Sequence, residues 1–131
     1  MSGYSKTPLA RKLGLKEDFR VHLINPPADY HQWIAPHPPV SFTDQPPFDF
    51  VHFFVNETEV LEEGLKQLRQ QIVPNGMIWV SWHKKASRLP SEITEDVIRG
   101  TALALGLVDI KVCAVTEIWS GLKVVIRKEL R

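Results

Sequence analysis

Polar side chains follow three apolar runs of the sequence, in places where a binding site could form. Asn25 and Asn56 each come directly after an apolar run, and a basic loop that begins at His83 follows a third. Amide, imidazole and cationic side chains donate hydrogen bonds, so this combination suits an anion such as phosphate or carboxylate. The candidate binding residues are Asn25, Asp29, Asn56, His83, Lys84, Lys85, Ser87 and Arg88.

Several of these residues also have a structural interpretation. Asn56 followed by Glu59 resembles a capping box, which predicts that Asn56 caps a helix. Ser87 is expected to form a turn in a solvated loop, and Asp29 to cap a helix or a loop. None of these residues is predicted to be catalytic, so the predicted site is one of binding.

Histidine and cysteine give little support for a metal site or a nucleophile. No two of the five histidines have the i, i+4 spacing of a helical metal pair, and the chain has one cysteine. We therefore predict no metal site. Cys113 alternates with Val112 and Ala114 in a strand-like run, so we interpret it as a small buried hydrophobe.

Trp79, Trp82 and Trp119 are interpreted as packing residues, and Trp119 has an alternative role. Trp79 and Trp82 lie in an apolar run and are expected in the core. Trp119 falls between two predicted strands, at the tip of a hairpin. An exposed ring at that position could anchor a partner or stack on a base.

The composition bounds the class of protein. With 131 residues, 44% apolar and 24% charged, the chain suits a single globular domain over residues 1–131. Its net charge of +1 gives no general attraction to nucleic acid or to a membrane. It has no apolar run of about 18 residues and no signal-peptide core. With one cysteine there is no intrachain disulfide, so a cytoplasmic protein is expected.

A basic N-terminal segment, residues 1–18, is expected to contain a short helix. Ser5 or Thr7 would cap this helix, and Gly14 would end it. Its basic residues and those of the loop after His83 make a second candidate surface, for an anion or a nucleic acid. The residues of that surface are Lys6, Arg11, Lys12, Lys84, Lys85 and Arg88.

Alternating regular and irregular segments follow. Residues 19–25 predict a strand, and residues 26–47 a proline-rich irregular segment in which long regular structure is disfavoured. Residues 48–55 are apolar on both faces, as expected of a central parallel strand. Leucines at helical spacing predict a helix over residues 56–73, which the sequence Pro-Asn-Gly would end before a buried strand at residues 77–82.

The C-terminal third predicts a helix and a hairpin. The helix would begin at its cap, Thr94, and end at Gly106. Two strand-like runs then follow with a short link between them, which requires an antiparallel pair. The order of elements predicts an α/β fold with a mostly parallel sheet, helices on both faces and a C-terminal antiparallel hairpin.

From Phe48 onward this pattern resembles the C-terminal half of class I S-adenosylmethionine-dependent methyltransferases. The segments that carry the resemblance are "FDFVHFF", "PNGMIWVSW", "ALGL" and "KVCAVTEIWSGLKVVIRK". The resemblance implies a trimmed Rossmann-like fold of the methyltransferase type, with the antiparallel seventh strand of those enzymes. It carries no catalytic residue by itself.

The whole chain also resembles a family of small, uncharacterised bacterial proteins. The matching segments are "GYSKTPLARKLGL", "HKKAS", "TEDVIR" and "ALGLVDIKVCAVTEIWSGLK". This resemblance implies one compact domain and assigns no activity.

The methyltransferase resemblance implies a place for the methyl donor, which this sequence matches poorly. In those enzymes a glycine-rich turn follows the first strand, and an acid ends the second strand and holds the ribose hydroxyls. Here the turn at residues 25–28 is "NPPA", and no glycine lies between Gly14 and Gly64. Proline has no backbone N–H and adds bulk where close approach is needed. The expected acid is missing, although Asp29 could still meet a hydroxyl.

Asn-Pro-Pro after a strand also resembles a motif of methyltransferases that act on amino groups of nucleic-acid bases or of protein glutamine. In that motif the Asn side chain and a backbone carbonyl hold the target amino group, and the next residue is aromatic and stacks on the target. Here Ala28 takes that place, and Tyr30 comes two positions late. We therefore interpret the stretch as a rigid turn that leaves a strand.

Three functional hypotheses follow. The leading one is a degenerate methyltransferase-like domain that acts as a binding or interaction protein without a cofactor. Its partner would be an anionic small molecule or another protein. The second is an S-adenosylmethionine-dependent methyltransferase with an atypical donor site, and the third is a weak binder of anions or nucleic acid.

Overall fold

A six-stranded mixed sheet crosses the molecule, in a computed structural model that describes residues 7–131. Its order is β2-β1-β3-β4-β6-β5, and the strands are β1 (Arg20–Ile24), β2 (Ser41–Phe42), β3 (Phe48–Phe54), β4 (Ile72–His83), β5 (Leu107–Ala114) and β6 (Trp119–Ile126). β1 is parallel to β2 and β3, and β3 is parallel to β4. β6 is antiparallel to both β4 and β5. The predicted mostly parallel sheet and C-terminal hairpin are confirmed.

Helices cover both faces of this sheet, as predicted. The helices are α1 (Leu9–Leu13), α2 (Tyr30–Ile34), α3 (Thr58–Gln71) and α4 (Glu95–Ala104). One hydrophobic cluster lies between the sheet and the pair α3 and α4, and another between the sheet and the pair α1 and α2. Within residues 7–131 no helix is long and apolar enough to cross a membrane.

Strand β3 contributes to both halves of the core. Phe53 belongs to the cluster beneath α3 and α4, and its neighbour Phe54 belongs to the cluster beneath α1 and α2. Successive side chains of a strand point to opposite faces, which is why both must be apolar when both faces are covered. Each large apolar side chain buried in this way stabilises the fold by about 1.5–3 kcal/mol.

Helix α1 is held on the sheet by a buried hydrogen bond. The indole Nε1 of Trp79 donates to the carbonyl oxygen of Leu13 over 2.8 Å. The helix ends at Gly14, as predicted, with a φ of 84° in the left-handed region. Its N-cap position is Pro8 rather than the predicted Thr7, and the alternative cap, Ser5, lies outside the described residues.

The proline-rich segment is irregular apart from α2 and the short strand β2. β2 extends the sheet beside β1 through two backbone bonds. The N–H of Ser41 donates to the carbonyl oxygen of Phe19 over 2.8 Å, and that of Thr43 donates to Val21 over 2.9 Å. This segment therefore forms one edge of the sheet, which its proline content did not predict.

One predicted boundary is wrong. The sequence places Pro-Asn-Gly at the end of the helix, but α3 ends at Gln71 and β4 begins at Ile72. Ile72 pairs with Phe48, and the next paired residue of β4 is Met77, so the pairing shifts between them. The Pro-Asn-Gly residues therefore occupy an irregularity inside the strand, where proline is tolerated.

β5 forms one edge of the sheet. A register shift between Asp109 and Lys111 interrupts its pairing with β6. Two of its apolar side chains point to solvent, with Ile110 54% exposed and Val112 52% exposed. The strand is tied to α4 by Arg99, whose Nε lies 3.1 Å from the Asp109 carboxylate.

A polar network is buried beneath α2. His52 of β3 is fully buried, with Nδ1 2.8 Å from the Tyr30 hydroxyl and Nε2 2.8 Å from Ser81 Oγ. Its ring stacks on Phe54 at a centroid distance of 4.3 Å. Burial lowers the pKa of His52 to about 3, so the ring stays neutral and serves as a hydrogen-bonding core residue.

Two helical glycines are predicted to respond in opposite ways to alanine. A Cβ on Gly64 of α3 would overlap the buried ring of Phe53, whereas a Cβ on Gly100 of α4 would meet nothing within 4 Å. Gly64→Ala is expected to lower the free energy of unfolding by about 1–3 kcal/mol. Gly100→Ala is expected to raise it by about 0.5–1 kcal/mol. Urea denaturation measures both, and a fully stable Gly64→Ala protein would contradict the close packing of α3 on β3.

The buried His52 predicts a loss of stability in acid. Its pKa is about 3 when folded and 6.5 in its ordinary range, so between these values only the unfolded chain takes up the proton. The free energy of unfolding should therefore fall by up to about 1.4 kcal/mol per pH unit as the pH decreases through this window. His52→Gln should lose this part of the slope, and His31→Gln, at an exposed position, should keep it. Urea titrations at several pH values test this, and equal slopes in all three proteins would contradict it.

Candidate functional site

Asn56 joins the ends of the two central strands. Its Oδ1 accepts a hydrogen bond from the backbone N–H of His83, at the end of β4, over 2.8 Å. Beside it, the N–H of Val55 donates to the carbonyl oxygen of Ser81 over 2.9 Å. The prediction that Asn56 caps α3 is therefore wrong, because its side-chain oxygen is bonded to the neighbouring strand.

The N-terminus of α3 is capped from the loop after β4 instead. The Glu92 carboxylate accepts a hydrogen bond from the N–H of Thr58 over 2.8 Å, and the Glu92 N–H donates to the Asn56 carbonyl oxygen over 2.8 Å. A carboxylate at a helix N-terminus is favoured by the helix dipole. Sequence reasoning missed this cap because Glu92 is 34 residues from Thr58 along the chain.

Asn25 ends β1 in a left-handed backbone conformation, with φ of 54°. Asparagine tolerates this region better than most residues, so the turn is made without a glycine. Asn25 lines an opening of about 280 Å³ at the strand ends, together with Phe54, Val55, Asn56, Glu57, Val60 and Trp119. The predicted cap Asp29 holds the N-cap position of α2 but makes no side-chain capping bond.

Trp119 is half-buried, as expected of a packing residue, and the alternative of an exposed ring at the hairpin tip is wrong. It is the first residue of β6 and pairs with His83 of β4. Its ring packs against the rings of Phe54 and His83, at centroid distances of 5.0 and 4.4 Å. The N–H of Val115 donates to the Trp119 carbonyl oxygen over 2.9 Å and closes the turn. Strand β6 therefore begins at Trp119, earlier than predicted.

The basic loop after β4 contains a single helical turn, Lys85–Ser87. Ser87 Oγ donates to the Lys84 carbonyl oxygen over 2.6 Å and accepts a bond from the N–H two residues later over 3.2 Å. Ser87 thus has the turn-forming role that its type predicts. At the start of the loop, His83 Nδ1 lies 3.0 Å from the Pro90 carbonyl oxygen.

A groove of about 770 Å³ lies between this loop and the N-terminus of α4. Lys85 and Arg88 line the loop side of the groove, and Glu95 and Asp96 line the helix side. Charges of both signs therefore face the same space. An anion in this groove would meet the two acids as well as the two cations.

The predicted binding residues are divided between the two openings. Asn25 and Asn56 line the smaller one, whereas His83, Lys85 and Arg88 line the groove. Three predicted residues line neither, namely Asp29, Lys84 and Ser87. The parallel strands bring the first two together as expected, and Trp119 stands between them and the basic loop. The role of these residues as ligands stays a prediction.

An acid does follow the second strand, but it does not take the place expected of a donor-holding acid. The strand pairs with Arg20 and Val21 at the start of β1, and the carbonyl oxygen of Gln45 accepts a hydrogen bond from the Arg20 guanidinium, so this acid is not brought to the turn at Asn25. β2 is parallel to β1, and Asp44 comes two residues after it. Asp44 is exposed, and its Oδ1 accepts a bond from the Gln45 side chain over 3.1 Å. Sequence reasoning missed it because a strand of two residues leaves no apolar run to recognise.

Cys113 is partly buried in β5 and surrounded by positive charge. Burial raises the pKa of its thiol, and the charges of Lys12, Lys111 and Lys84 act in the opposite direction. The thiol therefore stays protonated, which suits a packing residue and not a nucleophile. Among the described residues, no three His, Cys, Asp or Glu side chains are close enough together to hold a metal ion.

The predicted basic surface forms only in part. Lys12 Nζ of α1 donates to the Ala114 carbonyl oxygen, and the Lys84 N–H of the loop donates to the Ile118 carbonyl oxygen, so both segments contact the β5–β6 hairpin. They are joined there by Lys111 and Lys123 of the hairpin, which sequence reasoning missed. The remaining members lie elsewhere or outside the described residues, with Lys85 and Arg88 in the groove, Arg11 beside Pro36 and Pro38, and Lys6 not described.

No protein-family model and no curated protein matches the sequence. Solved structures do have a similar fold. CalO1, a methyltransferase in calicheamicin biosynthesis in its SAH bound form, has a TM-score of 0.65 at 14% identity, over 91% of this chain and 52% of that one. The N-methyltransferase NodS from Bradyrhizobium japonicum WM9 has a TM-score of 0.60 at 12% identity, over 92% and 93%. The CcbJ methyltransferase from Streptomyces caelestis has a TM-score of 0.53 at 10% identity, over 90% and 92%.

These similarities confirm the methyltransferase-type Rossmann-like fold. The chain spans about half the length of CalO1 and most of NodS. Because the identities are so low, the similarity shows the fold alone, and activity depends on the site.

The bond from Asn56 to His83 can be tested by two substitutions. Asn56→Ala removes the acceptor and is expected to lower the free energy of unfolding by about 1–2 kcal/mol. Asn56→Asp keeps an oxygen acceptor and should retain most of the stability. Hydrogen exchange by NMR should show the His83 amide protected in the wild type and in Asn56→Asp, and unprotected in Asn56→Ala. An unprotected His83 amide in the wild type would rule out the bond.

Proposed function

We propose that this methyltransferase-like domain is a binding or interaction module that does not transfer methyl groups. One observation carries the proposal. At the carboxyl ends of β3 and β4, beside the turn after β1, the domain's own side chains bond to and pack on one another and leave a small opening. Open α/β sheets bind their ligands at this edge, so its closure bears directly on function.

Two kinds of contact close the edge of the sheet at the ends of β3 and β4, a hydrogen bond and the packing of an aromatic ring. Asn56 binds the N–H of His83, and the Trp119 ring packs against both His83 and Phe54. The opening that remains is about 280 Å³. Pockets for drug-sized ligands are roughly 300–1,000 Å³. A donor that carries both a nucleoside and an amino acid would therefore require Trp119 to move.

The turn after β1 supports the same proposal. Pro26 and Pro27 have no backbone N–H, so two groups that could bond to a cofactor are absent from this turn. Asn25 supplies the left-handed conformation that a glycine would otherwise supply, and it adds a side chain to the opening. The backbone is thus less accessible than in a glycine-rich turn.

A second candidate function is S-adenosylmethionine-dependent methyl transfer from an atypical donor site. Asn25 favours it, because it lines the opening at the end of β1, beside the turn where the resemblance places the donor. CalO1 in its SAH bound form shares the fold over 91% of this chain. In this candidate Asn25 would contact the donor, and Trp119 would move out of the opening.

A titration with the methyl donor separates the two candidates. We expect millimolar S-adenosylmethionine or S-adenosylhomocysteine to leave the unfolding temperature unchanged. A ligand at 100 times its Kd would instead stabilise the fold by about 2.7 kcal/mol. Saturable stabilisation that Asn25→Ala removes, and that Asn75→Ala at an exposed position keeps, would establish the second candidate and overturn the first.

Methyl transfer gives a direct readout for the same question. Labelled donor is incubated with the protein and a cell extract, and incorporation into any substrate is measured. We expect none above the extract alone. Incorporation that requires the wild-type protein and disappears with Asn25→Ala would overturn the proposal.

A further inference from the structure

The β5–β6 hairpin presents two lysines side by side on the face that α1 covers. Lys111 and Lys123 are directly opposed in the antiparallel register. Like charges in opposed positions repel each other and destabilise a sheet. An anion bound from outside the domain would remove this repulsion.

Helix α1 brings another ammonium group to the same place. Lys12 Nζ donates to the Ala114 carbonyl oxygen over 3.4 Å, and Lys111 Nζ donates to the Lys12 carbonyl oxygen over 3.1 Å. These bonds hold the Lys12 ammonium group against the hairpin and the Lys111 ammonium group against α1. Carbonyl oxygens carry no formal charge, so the positive charges stay uncompensated.

No acid balances these lysines within residues 7–131. The ion pairs in that part of the chain are made by Arg99 and Arg127. Burial, then Lys111, then Lys16 lower the pKa of Lys123, and no carboxylate opposes them. We refer to the resulting positive surface as the lysine face, which consists of Lys12, Lys111 and Lys123.

One aromatic ring lies at the end of the lysine face. Side chains of β6 alternate between the two faces of the sheet, so Trp119 is on the same face as Lys123. Four residues of strand place them about 13 Å apart. The Trp119 ring is half-buried, which leaves part of it accessible.

We propose that the lysine face binds single-stranded nucleic acid, with lysines on the phosphates and Trp119 against a base. Proteins that bind single strands without sequence preference combine a positive surface with aromatic rings on which bases stack. Lysine contacts phosphate as a compact charge, without the fixed geometry of the arginine fork. An acidic peptide offers charge but no base for Trp119, so nucleic acid is the assigned partner.

The inference does not depend on the proposed function. The lysine face lies on a face of the sheet, whereas the donor question concerns the strand ends. Trp119 belongs to both sites, but Lys111 and Lys123 do not line the opening, so the comparison of lysine variants and the donor titration can each fail without the other. The two outcomes are therefore distinguishable.

Fluorescence anisotropy with a labelled single-stranded oligonucleotide tests the proposal. The Lys111→Gln/Lys123→Gln protein is compared with Lys66→Gln/Lys128→Gln, which loses the same charge from α3 and the C-terminal turn. We expect the first to bind about tenfold more weakly or worse. It should also lose about 1.4 from the slope of log affinity against log salt, which is about 0.7 for each phosphate contact. The second should bind like the wild type.

Trp119→Ala provides an independent test of base stacking. It should weaken binding about fivefold or more without changing the salt slope, because stacking releases no counterions. Equal losses in the two double variants would overturn the proposal, as would no binding by the wild type at about 50 mM salt. Binding of poly-glutamate as tight as that of the oligonucleotide would also overturn it in favour of an acidic partner. Urea denaturation of each variant confirms that it is folded before binding is measured.

Discussion

β3 and β4 are buried on both faces, so every polar side chain on them must find a partner inside the protein. Two such side chains determine where the short helices lie. Trp79 bonds to α1 through Leu13, and His52 bonds to α2 through Tyr30. Helices of five residues are not stable alone in water, so these bonds and the apolar contacts around them define the second face of the molecule. The central strands thus fix the positions of α1 and α2, which come before them in the chain.

Polar groups also need hydrogen-bonding partners where the central strands end. Backbone groups that leave the sheet need partners, and Asn56, Glu92 and Trp119 satisfy or cover them. In a fold that places ligands at this edge, each such contact takes space from a ligand. A domain can therefore keep the sheet of a methyltransferase while its edge favours self-contained packing over an open cleft. This is why similarity of fold says so little about the activity of this chain.

Elements with a local cause were predictable from sequence, and elements with a distant cause were not. Apolar periodicity located β3, α3 and α4, and Thr94 caps α4 as its type predicts, since it accepts a bond from the N–H three residues on. Glu92 caps α3 from far along the chain, and Asp44 follows a strand too short to recognise. The parallel strands were enough to bring Asn25 and Asn56 to one opening. The opposed lysines of the hairpin required its register, which the link length alone does not determine.

The irregular edge strand β5 has a consequence for how the domain behaves at high concentration. A long, flat, apolar edge is a template on which strands of other molecules add and aggregate. β5 is eight residues long and exposes Ile110 and Val112, which would make it such a template. The register shift beside Asp109 interrupts the pairing of the strand, and Lys111 places a charge on its other face. Bulges and charges at an edge are features by which natural sheets limit edge-to-edge pairing, and β5 has both of them.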